Sequence, residues 1–264
     1  MKHELNGDII HIATGGRDFN ANGNVLVMLH GSGQNHLTWV LQSRYLAHRG
    51  YEVIAPDFPG HGLSGGEPLT SIEAHADWVR ELLDSLGVQT ATIIGHSQGV
   101  LTAIEMAARY KERVTSLVLI AGAMAIPVNE YLVNMSDKSL EKAIAMMTSW
   151  GHGPSAHLHD NTQPGHSFMH YGRKVMEINN RDALLADLNA CNAYDNGKNA
   201  AGMIDQPTLC IIAAKDKMTP MKFGQKMATT IQGADLVLIE NAGHFLPAEC
   251  PMEVNAAVRS FLAK

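Results

Sequence analysis

Long apolar runs are missing from this sequence. No stretch of about 18 apolar residues occurs, so a membrane-spanning helix is not expected. Cysteine is scarce: Cys191, Cys210 and Cys250 are odd in number, far apart and without a Cys-x-x-Cys pair. This argues against a disulfide framework and a cysteine-based zinc or redox site, and fits a reducing compartment. Basic blocks of the kind that track phosphates are absent, and 20 Lys and Arg against 26 Asp and Glu give a net charge of −6. Nucleic acid is therefore not an expected partner. Charged residues are only 17% of the chain against 45% hydrophobic, which excludes a disordered polymer. The 24 glycines and 10 prolines have no period, which excludes a collagen-like chain. The opening MKHELNGDII carries acids within its first eight residues and no long apolar run, so it does not read as a signal peptide, and a cytoplasmic location is expected. No internal repeat or low-complexity tract stands out.

Alternation of strands and helices organises what is there. Val25–Leu29 (VLVML) is a short continuous apolar run, the pattern of a strand buried on both faces. Residues 51–55, 90–94, 116–120, 208–213 and 235–239 read as further strands. Between them, 72–86 carries a helical apolar face closed by Gly87, and 100–110 and 252–262 read as helices. This order predicts a doubly wound α/β fold, a mostly parallel sheet with helices on both faces. No strand pattern appears between 120 and 208. Some 80 structureless residues are implausible inside a compact domain, and helix-like stretches at 138–147 and 181–190 are separated by Pro154, Pro164 and glycines. The expected organisation is a core of 1–123 and 204–264 with a helical cap inserted at 124–203.

The strongest chemical signal is Gly95-His96-Ser97-Gln98-Gly99, between a strand and a helix. In that context Gly-x-Ser-x-Gly forms a sharp elbow that lifts the serine hydroxyl out of the sheet, with the following helix pointing free N–H groups at the reacting centre. The competing interpretation, an ordinary strand-to-helix turn that contains a serine, does not account for what lies downstream. A serine hydroxyl needs a base, and the base an orienting carboxylate. Asp216 follows the strand 208–213, and His244 follows the strand 235–239. Loops after parallel strands share one sheet edge, so Ser97, Asp216 and His244 are expected to converge. Glu240 ends a strand rather than occupying the next loop, and Ala121-Gly122-Ala123 offers no acid. His30 and His96 belong to tight backbone motifs and read as loop supports. Acyl transfer builds charge on a carbonyl oxygen, so backbone donors are required. Gln98 supplies one N–H, and Ser32 in His30-Gly31-Ser32-Gly33 is the expected second.

These motifs, with PDFPGHGLS at 56–64, KDKMTP at 215–220 and AGHFLPAECP at 242–251, resemble the α/β-hydrolase family, and their order resembles its serine esterases. The resemblance runs from about Val25 to Phe261, apart from the insertion, which lies where this family carries its cap. It implies Ser97 as nucleophile, His244 as base and Asp216 as acid. It also implies a structural rather than chemical role for Asp57 to Ser64. Two residues depart from the pattern. Val100 stands where many relatives have a second glycine and asks for extra room. Gln98 replaces a common methionine, placing an amide near the leaving group or the cap. Serine at the elbow closes the alkyl-enzyme route of the dehalogenases and epoxide hydrolases of this fold, which use aspartate there.

The inserted segment is rich in methionine: Met124, Met135, Met146, Met147, Met169, Met176 and Met203. Most are expected to pack between helices; Met124 and Trp150 are the candidates for the pocket wall. His152, His157, His159, His166 and His170 do not make a zinc pattern, and no metal or cofactor is expected. They suggest a pH-sensitive lid as a hypothesis. The reading of the whole is a cofactor-independent carboxylic ester hydrolase for small to medium acyl esters. Carbon–carbon (diketone) hydrolysis, lactone or thioester cleavage and perhydrolysis use the same triad. A ligand-binding sensor is the rival of another class. Oligomeric state is not legible.

Overall fold

The computed structural model describes residues 1–158 and 167–264. Pro164, His159 and His166 fall outside them. The central element is an eight-stranded sheet formed by β1 (Lys2–Leu5), β2 (Asp8–Ala13), β3 (Val25–Leu29), β4 (Glu52–Pro56), β5 (Ala91–His96), β6 (Val114–Ile120), β7 (Thr208–Ala213) and β8 (Asp235–Ile239). Their order is β1-β2-β4-β3-β5-β6-β7-β8. From β4 to β8 every pairing is parallel, as the alternating sequence requires. β1 and β2 add an antiparallel edge that the strand reading did not include. Its signal is Asn6-Gly7, both at positive φ, the residue pair of a two-residue hairpin turn.

Helices α1 (Val40–Ala47), α2 (Ile72–Ser85), α3 (Gln98–Arg109), α10 (Met221–Thr230) and α12 (Pro251–Leu262) surround the sheet. The sheet separates two apolar cores. One joins Val27, Leu29 and Ile93 to Val79 and Leu82 of α2 and Ile104 of α3. The other joins Met28, Ile94 and Ile211 to Leu46 of α1 and Val254 and Val258 of α12. Strands such as β3 and β5 are buried throughout, which explains their unbroken apolar sequences.

Between β6 and β7 the described residues form six helices: α4 (Glu130–Lys138), α5 (Leu140–Gly151), α6 (Pro154–Leu158), α7 (Phe168–Glu177), α8 (Ala183–Ala193) and α9 (Gly197–Gly202). A small core of their own holds Leu132, Ile144, Met147, Met176 and Leu188, with Met135 and Met146 packed against it. Most of the methionines therefore fill space between helices, as expected. Met203 is exposed. Helix α11 (Leu246–Glu249) completes the chain order before α12.

Candidate active site

The C-terminal ends of β3, β5, β7 and β8 share one edge of the sheet, with β6 between β5 and β7, and carry the residues singled out in the sequence. Ser97 connects β5 to α3 with φ 55° and ψ −118°. A side chain rarely adopts this backbone, so the turn stores strain that the surrounding fold must hold in place. Close packing explains its glycines: a Cβ on Gly95 would collide with the Gly99 carbonyl, and one on Gly99 with the Leu29 carbonyl. Val100 finds its room beside Gly122, where an added Cβ would lie 2.5 Å from Val100 Cγ2.

Ser97, His244 and Asp216 form one hydrogen-bonded chain. Ser97 Oγ lies 2.8 Å from His244 Nε2, and His244 Nδ1 lies 2.8 Å from Asp216 Oδ2. The carboxylate is tied down from its other side. Its Oδ1 accepts the N–H groups of Met218 and Thr219, both at 2.8 Å, and Thr219 Oγ1 donates to Oδ2 at 2.7 Å. Burial alone would raise the Asp216 carboxyl, but His244 and the Thr219 amide and hydroxyl outweigh it and hold the acid below its ordinary value. The arrangement leaves an ionised acid, an imidazole with Nδ1 committed to it, and Nε2 facing a hydroxyl.

The supporting histidines are neutral. Burial pushes both His30 and His96 down to about 3. His96 Nε2 donates to the His244 carbonyl at 2.8 Å, and His30 Nε2 accepts the Phe58 N–H at 3.2 Å. Glu240 is exposed, away from this buried chain.

Above Ser97 opens a cavity of about 390 Å³. Its lining includes Ser32, Ser97 and His244 at the floor and Ile126, Val128, Leu132, Met147, Trp150, Leu188 and Met218 around the wall, with Lys217 as the one lysine or arginine among the described lining residues. Trp150 is therefore at the cavity. Met124 is not among the lining residues: its side chain is buried in the main apolar core, in the cluster that also holds Ala200 and Ala201. A larger depression of about 680 Å³ lies at the opposite, N-terminal ends of the strands, by Asn24, Thr90, Thr115 and Asp235, where no nucleophile–base pair occurs among the described residues.

Two further carboxylates reach this region, and neither was singled out in the sequence. Glu249 accepts N–H groups from Gly153 (2.7 Å), Gly243 (3.1 Å) and Phe245 (3.1 Å), while the His244 N–H donates to the Gly151 carbonyl at 2.6 Å. The loop carrying His244 is thus fastened to the turn between α5 and α6. Asp187, one of the most buried side chains, reaches from α8 to Gly33, His61 and Gln98. Its signal is a lone acid inside the otherwise apolar run Ala183-Leu184-Leu185-Ala186-Asp187-Leu188. The Gln98 amide accordingly meets a side chain of the inserted helices, the second of the two contacts its identity suggested.

Among the described residues, His11, His36 and Asp57 place ligand atoms within 4.8 Å of one another. The Asp57 carboxylate is already occupied by the His36 N–H (2.6 Å), His36 Nδ1 (2.8 Å) and the Leu63 N–H (2.9 Å), so the cluster is a satisfied hydrogen-bond node of the 57–64 loop. Cys191 also touches the cavity, 3.6 Å from Ser32 Oγ, and burial pushes its thiol up to about 12, which leaves it unreactive. His152 Nδ1 donates to the Thr148 carbonyl at 2.8 Å and His157 Nε2 to the Ser149 carbonyl at 3.0 Å, so these two histidines brace the end of α5.

A family model described as the alpha/beta hydrolase fold matches residues 24–250. A 2-hydroxy-6-oxononadienedioate/2-hydroxy-6-oxononatrienedioate hydrolase of Pseudomonas sp. is 28% identical over 276 residues, which cover 99% of this chain and 94% of that protein. Among solved structures, the enol-lactonase from Burkholderia xenovorans LB400 superposes with a TM-score of 0.89 over 100% of both chains at 23% identity. The esterase EaEST from Exiguobacterium antarcticum superposes with a TM-score of 0.87 at 18% identity, over 100% of this chain and 99% of the other. At these identities the structural likeness establishes the fold, and the relatives are named as hydrolases of different substrates. Strand order, the strained serine turn and the family match over most of the chain lead to one conclusion: this chain belongs to the alpha/beta hydrolase fold family.

Proposed function

We propose that this chain is a serine hydrolase that cleaves carboxylic esters with small to medium acyl groups. The observation that carries the reading is the unbroken chain Ser97–His244–Asp216 at 2.8 Å per step, at the floor of a mostly apolar cavity. Ser97 Oγ attacks the ester carbonyl while His244 Nε2 takes its proton, and Asp216 steadies the imidazolium. The carbonyl oxygen, now negative, is held by the N–H groups of Ser32 and Gln98. His244 returns the proton to the departing alcohol. Water, activated by the same imidazole, then cleaves the acyl-enzyme. A cavity of about 390 Å³ sits at the small end of the usual range for ligand sites, which favours short and medium chains. The segment between β6 and β7 supplies most of its wall and acts as the cap in this reading.

Lactone hydrolysis is the second reading, favoured by the overall likeness to an enol-lactonase. A doubly charged substrate like the dienedioate in a relative's name fits this cavity less well, since Lys217 is the one lysine or arginine described on its lining. The test is steady-state hydrolysis of p-nitrophenyl esters of graded length and of simple lactones by wild type and Ser97→Ala. Multiple turnovers lost in the variant support the serine mechanism, and the preferred substrate decides between ester and lactone. A single slow turnover of every substrate would favour a ligand sensor instead. Turnover that survives in Ser97→Ala would refute the reading.

A further inference from the structure

The two loops that must supply the oxyanion donors are not held by the sheet alone. Asp187 Oδ2 accepts the Gly33 N–H at 2.7 Å, next in the chain to Ser32, and Asp187 Oδ1 accepts the Gln98 side-chain amide at 3.2 Å. One carboxylate therefore grips both arms of the site. The same segment grips Gly33 again from its other side, where Asn179 Nδ2 donates to the Gly33 carbonyl at 2.6 Å. Within the loop the Gly31 N–H is taken by Gln34 Oε1 at 3.2 Å and the Gly33 N–H by Asp187. Neither acceptor takes the Ser32 N–H that lies between them.

We propose that Asp187 is a positioning residue of the acyl-transfer site, setting the separation and aim of the Ser32 and Gln98 N–H groups from a helix outside the sheet. The proposal rests on the serine hydrolase reading above. A bare carboxylate so close to a developing oxyanion would oppose it. His61 removes that penalty: its Nε2 donates to Asp187 Oδ2 at 3.0 Å and its Nδ1 to the Pro59 carbonyl at 3.0 Å, the two donations of a charged imidazolium. Burial disfavours both charges, but their mutual attraction and hydrogen bond outweigh it, raising His61 and lowering Asp187. The pair is neutral as a unit, so what it contributes is geometry. His75, buried with Nδ1 donating to the Ser71 carbonyl at 2.8 Å, has its Nε2 3.9 Å from Asp187 Oδ1.

The experiment compares wild type with Asp187→Ala, Asp187→Asn and Gln98→Leu, using p-nitrophenyl butyrate and 1-butaneboronic acid. Active sites are counted with a fluorophosphonate, so that loss of folded protein does not enter kcat. Boronic acid forms a tetrahedral adduct on Ser97 whose oxygen occupies the place of the oxyanion, so its Ki reports donor placement directly. In Asp187→Ala, kcat per counted site falls roughly tenfold to a hundredfold and the boronic acid Ki rises in parallel, while KM moves less than about threefold. Asp187→Asn keeps an acceptor for Gly33 and recovers most of the loss. Gln98→Leu leaves Asp187 and its helix intact and removes one tether, giving a smaller loss of the same kind. It also serves should Asp187→Ala fail to fold. A merely structural Asp187 lowers Tm but leaves kcat per site and the Ki within twofold of wild type, and that result overturns the proposal. A rise confined to KM overturns it too. Turnover surviving in Ser97→Ala is a different failure, that of the reading beneath it.

Discussion

Asp216→Asn is the substitution whose outcome the hydrogen bonds determine most completely. Asp216 Oδ1 faces two backbone N–H groups, those of Met218 and Thr219. An asparagine cannot turn its NH₂ toward two donors, so its oxygen must stay there and its NH₂ must take the place of Oδ2. Thr219 tolerates the change, because its hydroxyl can donate to the Ala121 carbonyl, already 3.0 Å away, and accept from the amide. His244 does not. The NH₂ donates to Nδ1, which forces the imidazole proton onto Nε2, directly opposite Ser97 Oγ. The base is then a donor facing the group it should deprotonate. The expected loss is about 10⁴-fold in kcat, or about 5 kcal/mol of barrier. KM and Tm change little, since shape and both amide bonds survive. Steady-state kinetics on a short p-nitrophenyl ester, with a thermal melt of the same sample, measures all three. A loss below about tenfold in a protein that melts like wild type would refute the assignment of Asp216 and the tautomer reasoning with it.

Three further outcomes follow from the structure. Gly122→Ala drives a methyl into Val100, whose Cβ as well as its methyls would lie within 2.8 Å of it, and should destabilise the fold by about 1–3 kcal/mol, with part of that recovered in the double variant carrying Val100→Gly; equal melting of the two variants would count against the contact. Asp57, Asp187 and Asp216 are all held below their ordinary value of 3.8, burial opposing ionisation but histidine partners and amides prevailing. A lowered folded pKa gives stability that is present above 3.8 and lost as pH falls through it toward the folded values, so denaturant midpoints should drop steeply below about pH 4; a flat profile from pH 5 to 3 would contradict this. Met147→Trp fills the wall of the cavity and should lower kcat/KM for an octanoyl ester about tenfold relative to the acetyl ester; an unchanged ratio would place the acyl chain elsewhere.

The parallel part of the sheet was legible because burial on both faces writes itself as unbroken apolar runs, as at Val25–Leu29 and Thr208–Ala213. The Ser97 turn was legible because strand, elbow and helix are contiguous. The hairpin of β1 and β2 escaped notice although Asn6-Gly7 announces it: its short strands are half exposed and lack the apolar density used to find the others. The convergence of Asp216 and His244 on Ser97 was legible from their places after strands. Asp187 and Glu249 were not, because what makes them notable is contact across 154 and 96 residues of chain, which no local pattern encodes. Met124 joins the main buried core rather than the cavity lining, because composition signals an apolar neighbourhood but not which core or cavity a side chain joins.

The fastening of the His244 loop has a consequence for how the molecule comes into being. Glu249 closes on Gly153 across 96 residues, and His244 meets Ser97 across 147. Contacts of such span form late, after local helices and the first strand pairs, because loop closure must be offset before they contribute. During refolding, helical signal should therefore return before turnover does, and catalysis here is a timer for the last stage of assembly.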